Sequence, residues 1–195
     1  IHGFGGTASG PGPLIEMLAN VADVLNRCVG RPYASLDLME VDHAIAAAVI
    51  AGGVRRSARM SIKHWADHDI LDFISCKADP ADHWSSNISV SVDSAFFAAL
   101  DAGVPQARVV MEEVATGMAV NGEPGLVNMA LAQVGEASTD LVPNPCGEIF
   151  LEPFEPCCLG HVNLAHYGND LRGTAEAVRL MARFLVRATF AAADD

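Results

Sequence analysis

The run NPCGEIFLEPFEPCC, residues 144–158, concentrates the side chains in this chain best suited to chemistry. Cys146 stands between Pro145 and Gly147, with Asn144 two positions before it and Glu148 two after. An Asn-Pro pair and a following glycine favour a tight loop over a regular element, and such a loop presents one thiol at its tip. The flanking polar side chains then face the same ligand. Glu148 can serve as general base towards a hydroxyl while Asn144 holds a second one. Cys157 could be the redox partner of a further thiol. Two other readings of the residue types stay open. One is a zinc site drawing on Cys146, Cys157, Cys158, His161 and His166, although the chain has no Cys-x-x-Cys pair. The other is thiols that merely pack.

Three further stretches are candidates. GGVRRSA (52–58) reads as a helix stop followed by Arg55 and Arg56 on a loop, suited to a nucleotide base or phosphate. GFGGTASGPGP (3–13) is a glycine-rich loop before a helix, where backbone amides could meet an anion. It matches neither GxxxxGK[ST] nor a strand followed by GxGxxG. HWADH places His64 and His68 four residues apart, but Trp65 stands where a metalloprotease needs glutamate, so solvated histidines are the expectation. Cys28 and Cys76 fall on helical apolar or boundary positions and read as inert.

The elements that must position these residues alternate. Apolar spacing predicts helices over Leu14–Val29, stopped by Gly30, and from an N-cap at Ser35 through Ala51, ended by Gly52-Gly53. VRRSARMSI alternates towards a short strand, and a compact helix starts near Asp69. NISVSV (87–92) has the period of a strand. DSAFFAAL and QARVVMEEVATGMAV read as helices, NGEPG as a turn, and LVNMAL begins extended. GEIFLE and GHVNLA are strand candidates flanking the Cys157 turn, and a helix follows from Leu171. Helices alternating with strands make the class α/β.

The totals narrow the functions. The chain has 195 residues, 51% of them hydrophobic, enough for a real core. Its 24 acids against 12 bases give a net charge of -12, which repels a nucleic-acid backbone but leaves room for one nucleotide at a local basic loop. No apolar stretch is long enough to span a bilayer and no cleavable signal stands at the amino end, so a cytoplasmic protein without a membrane role is expected. Five cysteines in an acidic chain suggest reduced thiols rather than a disulfide framework. Both ends read as cuts, at Ile1 and inside a helix, so a piece of a longer chain is expected.

NPCGEIFLEPF-PC-LGHVNL resembles the active-site segment of ribonucleotide reductase large subunits, in the Pro-Cys-Gly form of the adenosylcobalamin-dependent class. GGVRRSA, GGTASGPGPL and NGEPGLVN are similar to further segments of that family in the same order, from about Gly5 to Leu164. The resemblance implies part of a ten-stranded α/β barrel with the reactive cysteine on a central finger loop. The whole chain, 1–195, would be a central fragment of the barrel domain, with a specificity-loop region over 1–60 and a finger-loop region over 141–165.

By position, Cys146 would carry the thiyl radical that takes the ribose 3′ hydrogen, and Glu148 would take the 3′-hydroxyl proton. Asn144 would bond the ribose hydroxyls, and Cys157 would be one of two substrate-reducing cysteines. Arg55, Arg56, Gly53, Ser57 and Ser9 would face substrate or effector. Where the family usually has Asn after the second cysteine, this chain has Cys158.

The implied cofactor is adenosylcobalamin, bound mainly by parts outside this chain. The implied partners are a ribonucleoside di- or triphosphate, a deoxynucleotide or ATP effector and a thioredoxin-like reductant, in a monomer or homodimer. Alternatives are a reductase whose radical comes from a separate iron or manganese subunit, or a non-catalytic nucleotide- or zinc-binding fragment. The segments with the other substrate-reducing cysteine, the phosphate-binding part and the recycling thiols are missing, so the resemblance implies an inactive fragment with a partly exposed core.

Overall fold

The computed structural model describes residues 8–53, 56–79 and 81–193. Contacts divide the chain into two units, Ile1–Glu136 and Ala137–Asp195.

The first unit opens with two helices, α1 (Gly12–Arg27) and α2 (Ser35–Ala51), packed against each other. Pro13 in the first turn of α1 loses no intrahelical bond, because the first amides of a helix have no partner there. Gly30, at φ +82°, lets the chain turn between the helices. The N-cap of α2 is Ala34 rather than Ser35. Aspartates replace the serine hydroxyl here: Asp37 accepts the Ala34 amide at 2.8 Å and Asp69 accepts the Ser35 amide at 3.0 Å. Asp37 is also the hub of the helix pair. Its carboxylate receives Arg31 at 2.8 and 3.0 Å and Arg27 at 3.3 Å, and the Arg31 guanidinium holds its pKa well below the usual carboxylate range.

The sheet follows. Strands β1 (Met60–His64), β2 (Asn87–Val92) and β3 (Gly125–Asn128) lie side by side in chain order, all parallel. Parallel neighbours need crossovers, which α3 (Ile70–Ser75) supplies first, then α4 (Ser94–Asp101) and α5 (Pro105–Asn121). Asp93 caps α4 by accepting the Phe96 amide at 2.9 Å, and also receives the Trp65 indole N–H at 3.2 Å. The core joins Trp65, Phe73, Ile88, Val90, Val92, Phe96, Val110 and Val114.

β2 is where the sequence period and the burial part company. Alternating NISVSV suits a strand with one wet face, yet Ile88 through Val92 are all buried. Ser89 and Ser91 lie inside on the second face of the strand. A Cβ on Gly125 would lie 2.8 Å from the Ser89 hydroxyl, so glycine lets the two strands pair there. After β3 a single helical turn, α6 (Met129–Ala132), closes the unit.

The second unit contains a two-stranded antiparallel pair, β4 (Val142–Pro143) with β5 (Phe150–Leu151), then α7 (Leu164–Tyr167) and the long α8 (Leu171–Ala193). GEIFLE supplies β5 as expected. GHVNLA does not form a strand. The Asn163 side chain accepts the Ala165 amide at 3.1 Å and starts the helical turn of α7 instead. A partly exposed core also stands as expected. Val178, Phe184, Val186 and Phe190 of α8 are more than half in solvent or at half, as are Leu14, Ile15 and Leu18 of α1. Among the described residues no helix is long and apolar enough to cross a membrane.

Candidate active site

The loop between β4 and β5 is built by one side chain. Asn144 follows β4, and Pro145-Cys146 are the central residues of a turn closed by the Gly147 amide on the Asn144 carbonyl at 2.9 Å. Gly147 sits at φ +84°, a conformation glycine adopts without steric cost. The Asn144 amide nitrogen of the main chain then meets the Ile149 carbonyl at 2.9 Å, sealing the loop base. Inside it, the Asn144 side-chain oxygen accepts three backbone amides, Gly147 and Glu148 at 3.1 Å and Ile149 at 3.3 Å. Its Nδ2 donates to the Glu148 carboxylate at 2.9 Å and to the Cys157 sulfur at 3.4 Å.

Cys157 reaches this amide because the chain doubles back after β5. Glu152 and Glu155 close a turn in which the Glu155 amide donates to the Glu152 carbonyl at 3.2 Å and the Glu155 carboxylate accepts the Glu152 amide at 2.8 Å. Three of the four finger-loop candidates are thus joined through Asn144, which is 6% exposed, while Cys146, Glu148 and Cys157 are exposed. Cys146 stands at the turn tip with its thiol accessible, as Pro-Cys-Gly suggested. The surrounding carboxylates, Glu148, Glu152 and Glu155, make the loop locally acidic.

Sequence reasoning missed the constructive part played by Asn144. The signal was present, since an asparagine before a turn bonds backbone amides two or more residues on. It also missed the groove of about 500 Å³ that follows, lined by His161, Asn163, His166, Tyr167, Leu180 and Phe184. No cysteine lines that groove, and among the described residues no group of three His, Cys, Asp or Glu side chains is placed to hold a metal ion. The zinc arrangement therefore has no geometric basis here. His64 and His68 also diverge. His64 ends β1 and meets Asp93 at 3.4 Å, while the His68 side chain is 91% exposed.

Of the nucleotide-facing candidates, Arg55 lies outside the described residues. Gly53 adopts φ +71° and donates its amide to Ile50 at 2.9 Å, ending α2 as expected. Arg56 is exposed, and Ser57 accepts the Arg59 guanidinium at 2.9 Å, while Arg59 also pairs with Asp42 of α2. Ser9 is exposed.

Known proteins resemble this chain along nearly its full length. The family model of the B12-dependent ribonucleotide reductase insertion domain matches residues 1–25. A protein of Mycobacterium phage D29 named "Putative adenosylcobalamin-dependent ribonucleoside-triphosphate reductase" is 47% identical over 214 residues, covering 98% of this chain and 31% of that protein. The adenosylcobalamin-dependent ribonucleoside-triphosphate reductase of Lactobacillus delbrueckii subsp. bulgaricus is 40% identical over 211 residues, covering 100% of this chain and 26% of its own length. The crystal structure of a B-12 dependent (class II) ribonucleotide reductase superposes with a TM-score of 0.70 at 37% identity, over 97% of this chain and 26% of that one. The chain thus spans under a third of the length of the curated relatives it matches. The α/β class and the parallel sheet agree with that structure. With the order of motifs, the identity and the fold pointing the same way, the chain belongs to the family of adenosylcobalamin-dependent, class II ribonucleotide reductases.

Proposed function

We propose that the protein containing this chain reduces ribonucleoside triphosphates to 2′-deoxyribonucleotides in the cytoplasm, and that residues 141–165 supply the reacting loop. The observation that carries this reading is the bonding of Asn144 to both Glu148 and Cys157 beside an exposed Cys146. A module that only binds nucleotides has no need of Asn144, Cys146 and Glu148 together. The triphosphate form of the substrate is supported by the names of the relatives.

In this reading Cys146 forms a thiyl radical that takes the ribose 3′ hydrogen and later returns it. Sulfur–hydrogen and activated carbon–hydrogen bonds are close in strength, so the exchange can run both ways. Glu148 takes the 3′-hydroxyl proton while a thiol of the reducing dithiol protonates the 2′-hydroxyl, which leaves as water. Asn144 orients Glu148 and offers its amide to a ribose hydroxyl, and Cys157 gives reducing equivalents as one half of a dithiol.

What this chain offers towards adenosylcobalamin is the open thiol of Cys146, and the corrinoid would be held mainly by parts outside the chain. When bound, that cofactor supplies the one-electron chemistry that removes the thiol hydrogen. The loops at 1–60, with Ser9, Gly53, Arg55, Arg56 and Ser57, would couple a deoxynucleotide or ATP effector to substrate choice. A thioredoxin-like protein would restore the dithiol. The 195 residues alone are expected to be inactive.

The test uses the full-length protein, assayed for deoxynucleotide formation with and without adenosylcobalamin beside Cys146→Ala. Cobalamin-dependent turnover that vanishes in the variant supports the reading. Turnover that survives Cys146→Ala removes the radical from this residue. Turnover without cobalamin moves the radical source to a partner subunit.

A further inference from the structure

We infer that Cys157 and Cys158 together form a capture site for trivalent arsenicals that carry one organic substituent. Two neighbouring cysteines in a strand point to opposite faces, and in a helix they fan apart around the axis. Residues 155–163 lie outside helix and strand, so neither constraint keeps these two sulfurs apart. Cys157 is exposed and Cys158 half-buried, so the pair is open to a small reagent. Among the described residues, the hydrogen bond to this pair is the donation from Asn144 to the Cys157 sulfur at 3.4 Å, to a weak acceptor and so readily displaced.

The donor count selects the ligand. Zinc completes a tetrahedron with four donors, and among the described residues no third His, Cys, Asp or Glu joins this pair. A monosubstituted arsenic(III) centre needs only two, because its own carbon group occupies the third valence. Soft thiolates suit such a centre. With an arsenoxide the step balances: two thiols lose their protons, two As–S bonds replace the As–O bonds, and the oxide leaves as one water. Arsenic and sulfur keep their oxidation states. Two of the other cysteines compete poorly. Cys28 is buried, Cys76 is half-buried with its pKa pushed up to about 11 by desolvation, and neither has a cysteine beside it in sequence.

This inference does not depend on the radical chemistry proposed above, because its readout is binding. The full-length protein is incubated with phenylarsine oxide, washed with excess monothiol, and analysed by intact mass and peptide mapping. The expected result is a phenylarsenic retained on the peptide with Cys157 and Cys158, and released by a dithiol. Cys158→Ser should then weaken retention by on the order of a hundredfold or more, the loss expected when a tethered second contact is removed. Circular dichroism confirms that the variant is folded, and mapping of the unaltered protein reports the site independently. Retention on that peptide unchanged in Cys158→Ser, no adduct on it in the unaltered protein, or an adduct there that bridges Cys146 and Cys157, overturns the proposal.

Discussion

Replacing Asn144 by alanine should loosen the β4–β5 loop far more than its single position suggests. The side-chain oxygen holds the amides of Gly147, Glu148 and Ile149 at 3.1, 3.1 and 3.3 Å, and the side-chain nitrogen holds Glu148 and Cys157. A typical intramolecular hydrogen bond contributes about 1 kcal/mol net, so the three amide bonds represent about 3 kcal/mol. Gly147, Glu148 and Ile149 are exposed, so water re-satisfies part of what is lost, leaving about 2 kcal/mol of local order. At 1.4 kcal/mol per tenfold, amide exchange of residues 147–149 should accelerate by roughly 30-fold. Hydrogen–deuterium exchange of the full-length protein measures this directly, and amides distant from the loop serve as the internal control. Asn144→Asp separates two functions of the side chain. It keeps the oxygen acceptor and hence the amide protection, but it sets a second carboxylate against Glu148, whose repulsion should swing that side chain away. The first variant should thus lose protection and the second retain it, with turnover reduced in both. Equal exchange at 147–149 in wild type and Asn144→Ala would refute the view that this side chain builds the loop.

Three further outcomes follow from other parts of the chain. Asp37→Asn should lower the melting temperature, and the difference should depend on pH. The folded-state pKa of Asp37 is depressed, so its stabilisation is full above the ordinary carboxylate range and fades as pH falls through that range towards the folded value. Melting temperatures of the two proteins should differ most near pH 7 and draw closer below pH 4, without meeting by pH 3. Gly117→Ala in α5 would gain helix propensity but place its Cβ 2.5 Å from the Glu123 carbonyl oxygen and 3.1 Å from Pro124, both on the backbone or a ring. A net loss of about 1–3 kcal/mol is expected in denaturant unfolding, and a stabilised variant would contradict the packing described. Burial holds the Cys76 pKa at about 11, so iodoacetamide near neutral pH should label Cys146 and Cys157 well before Cys76, by mass spectrometry of partial digests.

Local rules explain which elements the sequence revealed. α1, α3, β2, α4 and α5 all fall close to where apolar spacing and turn residues put them, because each is set by short-range periodicity and punctuation. The start of α2 was misplaced by one residue because its capping acceptors come from Asp37 and from Asp69, the latter 34 positions away. GHVNLA was misread for a local reason of the opposite kind: β-branched and apolar residues suit a strand, but Asn163 supplies a cap that nucleates a helical turn.

At the site, the sequence by itself determined which groups are candidates for reaction and the family they point to: Asn144, Cys146, Glu148 and Cys157 in one run, on a loop that Pro145 and Gly147 favour. Those choices rest on covalent chemistry and backbone sterics, which act over a few residues and leave their mark in the string. Only the tertiary structure decided that Asn144 is buried and joins Glu148 to Cys157, and that β2, despite its alternating serines, is covered on both faces. Those outcomes depend on which segments return to meet one another. The Asn144–Cys157 bond spans 13 positions of a doubled-back chain, and burial of both faces of β2 needs other segments laid over them, so no local pattern encodes either.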